Sequence, residues 1–137
     1  MLEIAEVKED DLLYDLGSRD GRIILEVADK IKAKAIGIEA DPLRVLWSRN
    51  KIRSRELQDR AKVIWGNLFR SDLSKVTVVT FYHGQDINRR LMKKLEEELK
   101  PGTRIVSYIF ISKDGSLSRK NQIQKYIYTR YRTREKN

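Results

Sequence analysis

Short apolar runs alternate with amphipathic stretches along this chain, the arrangement of β-α-β units built around a largely parallel sheet. The run Leu-Leu-Tyr-Asp-Leu at 12–16 predicts a first strand, closed by a turn from Gly17 to Gly21. A helix follows from Arg22 to about Lys32, with Ile23, Ile24, Val27 and Ile31 on one face. Residues 35–39 predict a second strand. Asp41 and Pro42 then start a helix, the aspartate as cap and the proline at the first helical position, where a missing N–H costs nothing. Leu43, Leu46 and Trp47 are its expected buried stripe. A third strand is expected at 62–65, ending at Gly66-Asn67, and a fourth at 77–82, where β-branched and aromatic residues dominate. Residues 86–100 form the clearest helical pattern, stopped by Pro101-Gly102. A fifth strand at 104–110 and a final, antiparallel one from Ile123 to Tyr131 complete the set. The expected fold is α/β: a Rossmann-like three-layer sandwich with a mainly parallel sheet and an antiparallel C-terminal strand.

In such a sheet ligands bind beyond the carboxyl ends of the strands, where the strand order reverses. Four groups of residues fall there: the loop Asp15-Leu16-Gly17-Ser18-Arg19-Asp20-Gly21, Glu39 with Ala40 and Asp41, Asn67 with Leu68, and Tyr82 with His83. Gly17 and Gly21 let a backbone approach a ligand closely and can take positive φ. Glu39, 24 residues beyond Asp15, stands where an acid can accept hydrogen bonds from both hydroxyls of a ribose. Each feature has a plain structural alternative: a two-glycine turn needs no ligand, Glu39 can be a solvated strand end, and Gly66-Asn67 is ordinary turn chemistry. Their joint occurrence at the ends of consecutive strands favours a site.

The stretch from Leu12 to Ile24 resembles motif I of class I S-adenosylmethionine-dependent methyltransferases. The segments Gly37-Ile38-Glu39-Ala40-Asp41, Gly66-Asn67-Leu68-Phe69 and residues 95–107 are similar to a narrower group, the archaeal broad-specificity protein-lysine methyltransferases and related mitochondrial lysine methyltransferases. The resemblance spans about residues 2–110. It implies S-adenosylmethionine as cofactor, with Asp15, Gly17, Ser18 and Gly21 around its methionine and ribose part, Glu39 holding the ribose, and Arg19, Asp20 and Ala40 as further cofactor-binding candidates. Asn67 and Leu68 would flank the adenine, and Tyr82 would lie beside the methyl group or a substrate lysine as the catalytic candidate. His83 is expected as a polar loop residue rather than a base. Two departures from the pattern point to impaired catalysis: Arg19 stands where the motif has its central glycine, and eleven residues precede the first strand where the family carries a longer covering segment.

Composition narrows the alternatives. With 137 residues and 40% hydrophobic content, a single methyltransferase-like domain over 1–137 is expected, with a basic C-terminal segment at 113–137. The absence of cysteine excludes disulfides and thiolate chemistry, and a single histidine predicts no metal centre. No apolar run approaches the roughly 20 residues that cross a bilayer, and no signal peptide is recognised, so a cytoplasmic protein without a membrane partner is expected. Charged residues make up 36% of the chain, a balance met in heat-adapted proteins.

The net charge of +9 is uneven: residues 113–137 hold eight Lys/Arg against two acids, leaving 21 against 18 in the rest of the 29 and 20. The tail cations Arg119, Lys120, Lys125, Arg130, Arg132 and Arg134, with Tyr126, Tyr128 and Tyr131 interleaved, and the helix cations Arg44, Arg49, Lys51, Arg53 and Arg55 support the alternative of a non-catalytic binding module that uses a basic surface on nucleic acid, although the tyrosines can simply cover a sheet edge. Thr80-Phe81-Tyr82-His83-Gly84 lacks the Pro-Pro-Tyr type sequence of methyltransferases acting on base or glutamine amino groups. Base amino methylation is thus disfavoured, and the favoured reading, which the resemblance implies, is methyl transfer to protein lysine.

Overall fold

The computed structural model describes residues 6–110 and 123–129. Its strands are β1 (Leu12–Leu16), β2 (Lys34–Glu39), β3 (Ala61–Trp65), β4 (Val78–Phe81), β5 (Arg104–Phe110) and β6 (Ile123–Thr129). They form one sheet in the order β3-β2-β1-β4-β5-β6. Pairings from β3 through β5 are parallel. β6 runs antiparallel to β5, with Thr129 opposite Arg104 and Ile123 opposite Phe110. The chain leaves β1 toward β2 on one side and later returns to β4 on the other, so the switch in strand order lies at the carboxyl end of β1.

Alternation along the strands divides the apolar side chains between two faces. On one face Leu13, Ala35, Val63, Val78 and Val106 pack with residues of α1 (Arg22–Glu26) and α2 (Pro42–Ser54). On the other, Leu16, Ile38, Val79, Phe81 and Ile105 pack with Leu91 and Leu95 of α3 (Gln85–Glu98). Helices on both faces of a mainly parallel sheet make this the Rossmann-like sandwich that the sequence predicts. By the same alternation Asp15, Glu39, Trp65 and Thr80 belong to the α1/α2 face.

Two helices differ from their sequence pattern. α1 passes directly into a π-helical turn at Val27–Ile31 and ends at Lys32, whose φ is +66°. Its buried residues are Ile24, Leu25, Val27 and Ala28, with Ile23 and Ile31 only partly covered. In α2 the expected stripe is wrong. Leu43, Leu46 and Trp47 are exposed, whereas Val45, Ser48 and Ile52 face the core. These three lie on the opposite side of the helix, and the small hydroxyl of Ser48 is buried because it meets the loop after β1, as described below. Asp41 does cap α2, accepting a 2.9 Å hydrogen bond from the Leu43 N–H. No helix among the described residues is long and apolar enough to cross a membrane.

Candidate active site

The loop between β1 and α1 is folded onto the end of β2. The N–H groups of Gly17 and Ser18 both donate to the Ile38 carbonyl, at 2.8 and 3.0 Å. The Arg19 N–H donates to Glu39 Oε1 at 2.7 Å, and the Asp41 N–H donates to Glu39 Oε2 at 3.0 Å. Buried Glu39 thus ties the β1 loop to the start of α2 through both carboxylate oxygens. Each of those oxygens retains further acceptor capacity. Gly17 and Gly21 have φ of +86° and +79°, and Arg19, between them, has φ of +53°. The turn therefore demands the left-handed region at three positions, and only two carry glycine.

Packing under the loop explains several small residues. A Cβ on Gly37 would lie 2.6 Å from the Ser18 side chain, so its absence makes room for Ser18. Ser18 Oγ is buried and has no hydrogen-bond partner among the described residues. A Cβ on Gly21 would approach Ser48 Oγ at 3.0 Å, while that hydroxyl donates to the Arg19 carbonyl at 3.2 Å. Ser48 is thus the residue through which α2 grips the loop.

Asp15, at the end of β1, is buried and accepts a 2.9 Å hydrogen bond from Thr80 Oγ1 on β4. Burial raises its pKa to about 7, with the Glu39 and Asp20 charges adding to the rise, while the Thr80 hydrogen bond and Arg19 act against it.

His83 follows β4 and is held on two sides. Its N–H donates to Asn88 Oδ1 at 3.2 Å, and Asn88 Nδ2 donates back to the His83 carbonyl at 2.9 Å. The imidazole Nε2 lies 2.8 Å from the Leu16 carbonyl, an arrangement that places a ring proton on Nε2.

Apart from Gly21 and Glu39, the predicted site residues line two clefts. The larger, about 670 Å³, is lined by Asp15, Gly17, Ser18, Arg19, Asp20, Arg22, Ile23, Arg44, Phe81 and Tyr82. The smaller, about 460 Å³, is lined by Ile38, Ala40, Trp65, Gly66, Asn67, Leu68, Phe69 and Arg90. Glu39 lines neither wall but lies between them, since it bonds Arg19 of the first and separates Ile38 from Ala40 of the second. Gly21 sits behind the first cleft, over Ser48. Asp20 accepts from the Arg22 N–H at 3.2 Å and pairs with the Arg22 guanidinium at 3.4 Å. Asn67 Oδ1 accepts from the Phe69 N–H and caps the short turn Leu68–Arg70. Tyr82 is half-exposed at the first cleft.

Sequence reasoning missed Ser48, Thr80 and Trp65. Thr80 was open to discovery as the polar residue in an otherwise apolar strand, Val-Val-Thr-Phe. Ser48 gave no signal, because a serine in an amphipathic helix reads as surface. Trp65 donates from Nε1 to the Ala40 carbonyl at 2.9 Å, a contact that no local pattern announces. The tail residues Arg119, Lys120, Tyr131, Arg132 and Arg134 lie outside the described residues, as does Arg130, whereas Lys125, Tyr126 and Tyr128 fall on β6.

The profile of the ANTKMT methyltransferase domain matches residues 15–116, the stretch that contains both clefts. The chain belongs to this methyltransferase family. A protein-lysine N-methyltransferase of Saccharolobus islandicus is 45% identical over 111 residues, covering 80% of this chain and 69% of that protein. A lysine N-methyltransferase of Rattus norvegicus, named for the ATP synthase, is 32% identical across 72% of this chain, but the chain spans only 45% of its length. Among solved structures, an RNA methyltransferase from Salinibacter ruber in complex with S-adenosyl-L-homocysteine superposes with a TM-score of 0.85. It is 36% identical, with 99% of this chain and 91% of that one covered. The Rossmann-like fold and the methyltransferase assignment thus agree.

Proposed function

We propose that this methyltransferase-family domain transfers the methyl group of S-adenosylmethionine to the side-chain amine of protein lysine. The observation that carries the proposal is the meeting of the Gly17–Gly21 loop with Glu39 at the switch point of the sheet, in a chain 45% identical to a protein-lysine methyltransferase. The residues present fit the cofactor. Glu39 keeps acceptor capacity for a ribose diol, Gly17 lines the larger cleft, and the orphaned Ser18 hydroxyl is a buried polar group that a ligand would satisfy.

Bound S-adenosylmethionine would supply an electrophilic methyl group on a sulfonium centre. The chain's own residues hold and align. Asp15, Gly17, Ser18 and Arg19 would surround the methionine part with Asp20 at the rim, and Glu39 the ribose. Gly21 would serve by letting the loop turn over Ser48. Ala40, Asn67 and Leu68 would flank the adenine in the smaller cleft. A cation beside Asp15 favours its ionised form, so ligand binding would draw that carboxyl below its raised value. Tyr82, which lines the same cleft as Arg19 and Arg22, would guide the lysine. A lysine that has lost one proton to solvent would present a neutral nitrogen to that methyl group, and the residues of the cleft would hold the two reactants in line. In-line alignment of the two reactants is the main contribution such a site can make.

Incubation with labelled S-adenosylmethionine and a mixed protein extract, followed by mass spectrometry of modified sites, tests the assignment; methyl-lysine is the expected product. Nucleic acid is the second reading, supported by the 36% identical RNA methyltransferase that matches almost the whole chain. Label in added RNA with none in protein would establish that reading instead.

A further inference from the structure

The apolar residues expected inside α2 form an exposed face that nothing among the described residues covers. Leu43, Leu46 and Trp47 are 74%, 61% and 61% exposed, a fraction unusual for three large apolar side chains at successive i, i+3 and i+4 positions. Trp65, 63% exposed, adds to them. It lies on the α2 face of the sheet and bonds the Ala40 carbonyl, two residues before α2 begins. At 100° per residue the apolar trio occupies the centre of the outward face, with Lys51 on one flank and Arg53 on the other. Lys51 Nζ sits 5.3 Å from the Trp47 ring. The 13-residue helix carries four cations and no carboxylate.

We infer that this surface docks the domain on an anionic lipid bilayer. An apolar strip with tryptophan, bordered by cations on both sides, matches the interface of a bilayer, where leucine and tryptophan enter the acyl boundary and cations meet the headgroups. A second copy is a poor occupant, because twofold pairing sets four cations against four. Nucleic acid is the weaker occupant, since Trp47 can stack on a base but Leu43 and Leu46 at the centre of the face offer it neither stacking nor hydrogen bonds. The absence of a spanning segment led to the expectation of no membrane partner, and peripheral docking needs no such segment. Arg44 at the first cleft and Trp65 at the second place both clefts beside the docked face. The inference does not depend on which acceptor is methylated.

The chain has two tryptophans, Trp47 on this face and Trp65 lining the smaller cleft, so intrinsic fluorescence is read in a Trp65→Phe variant that leaves Trp47 as the reporter. The full chain is titrated with phosphatidylcholine vesicles with and without phosphatidylglycerol. The expected result is a blue-shifted emission and co-sedimentation with the anionic vesicles only, both weakened by salt. Lys51→Glu with Arg53→Glu should weaken binding by at least about thirty-fold. Leu43→Ser with Leu46→Ser should abolish the shift; all four side chains lie on the helix surface, and unchanged circular dichroism confirms the fold. Equal behaviour of the variants and the parent overturns the inference, as does binding to neutral vesicles alone. It is also overturned if an acidic polypeptide or an RNA oligomer shifts the emission while vesicles do not, or if the surface is covered in a stable dimer.

Discussion

The imidazole of His83 occupies the space that any side chain on Gly17 would need. A Cβ built on Gly17 would lie 2.3 Å from His83 Cε1 and 2.5 Å from Nε2. The histidine is thereby a wall of the loop after β1, braced by Asn88 and the Leu16 carbonyl, rather than a free polar loop residue.

Gly17→Ala combines that clash with a left-handed φ of +86°, and should destabilise the domain by about 1–3 kcal/mol. Adding His83→Ala removes the clash but not the φ strain. Chemical denaturation of the two single variants and the double variant should therefore give a favourable coupling, the double losing less than the sum. Strict additivity would show that the ring and the glycine are independent.

Arg19 takes φ of +53° at the central position of the loop, which costs a non-glycine residue roughly 1 kcal/mol. Arg19→Gly relieves the strain but frees the unfolded chain, so stability should change by less than about 1 kcal/mol. Because the side chain also lines the larger cleft, cofactor affinity should rise about tenfold, read by calorimetric titration. A fall in affinity would mean that the guanidinium contacts the cofactor.

Glu39→Gln keeps the shape of the side chain and one amide acceptor for the loop. It gives up the charge that strengthens hydrogen bonds to a ribose diol, and one of its ties to Arg19 or Asp41. The dissociation constant for S-adenosylhomocysteine should rise about ten- to hundredfold. An unchanged constant would remove Glu39 from the cofactor site.

Asp15 gives a pH signature. Its folded-state pKa of about 7 lies above the ordinary 3.8, so the folded state binds the proton more tightly than the unfolded one. The carboxyl carries no penalty below about pH 4, and the penalty grows as pH rises through 7. The gap corresponds to about 4 kcal/mol as an upper estimate. Asp15→Asn, which keeps an acceptor for Thr80, should therefore gain stability relative to the parent chain between pH 5 and 8, measured as thermal midpoints across that range. The same variant should bind the cationic cofactor more weakly. A constant difference across the pH range would contradict the raised value.

The strands were legible because β1 to β5 each carry a compact run of β-branched or aliphatic residues bounded by turn chemistry. The β1 loop and Glu39 were legible for the same reason, as chemistry at the ends of recognisable strands. The exposed face of α2 was not. Its leucines and tryptophan mimic a core stripe, while the true one includes Ser48, whose burial depends on a contact 29 residues away with the Arg19 carbonyl. The Asp15–Thr80 bond, 65 residues apart, and the seat of His83 on Gly17 are likewise products of strand order rather than local pattern.

The most direct test of the central claim is single-turnover methylation by the purified chain, with labelled S-adenosylmethionine and two acceptors in the same tube, a lysine-rich protein and a transcribed RNA. The account predicts label on lysine side chains of the protein, lost in Glu39→Gln at limiting cofactor. Label confined to the RNA would contradict it.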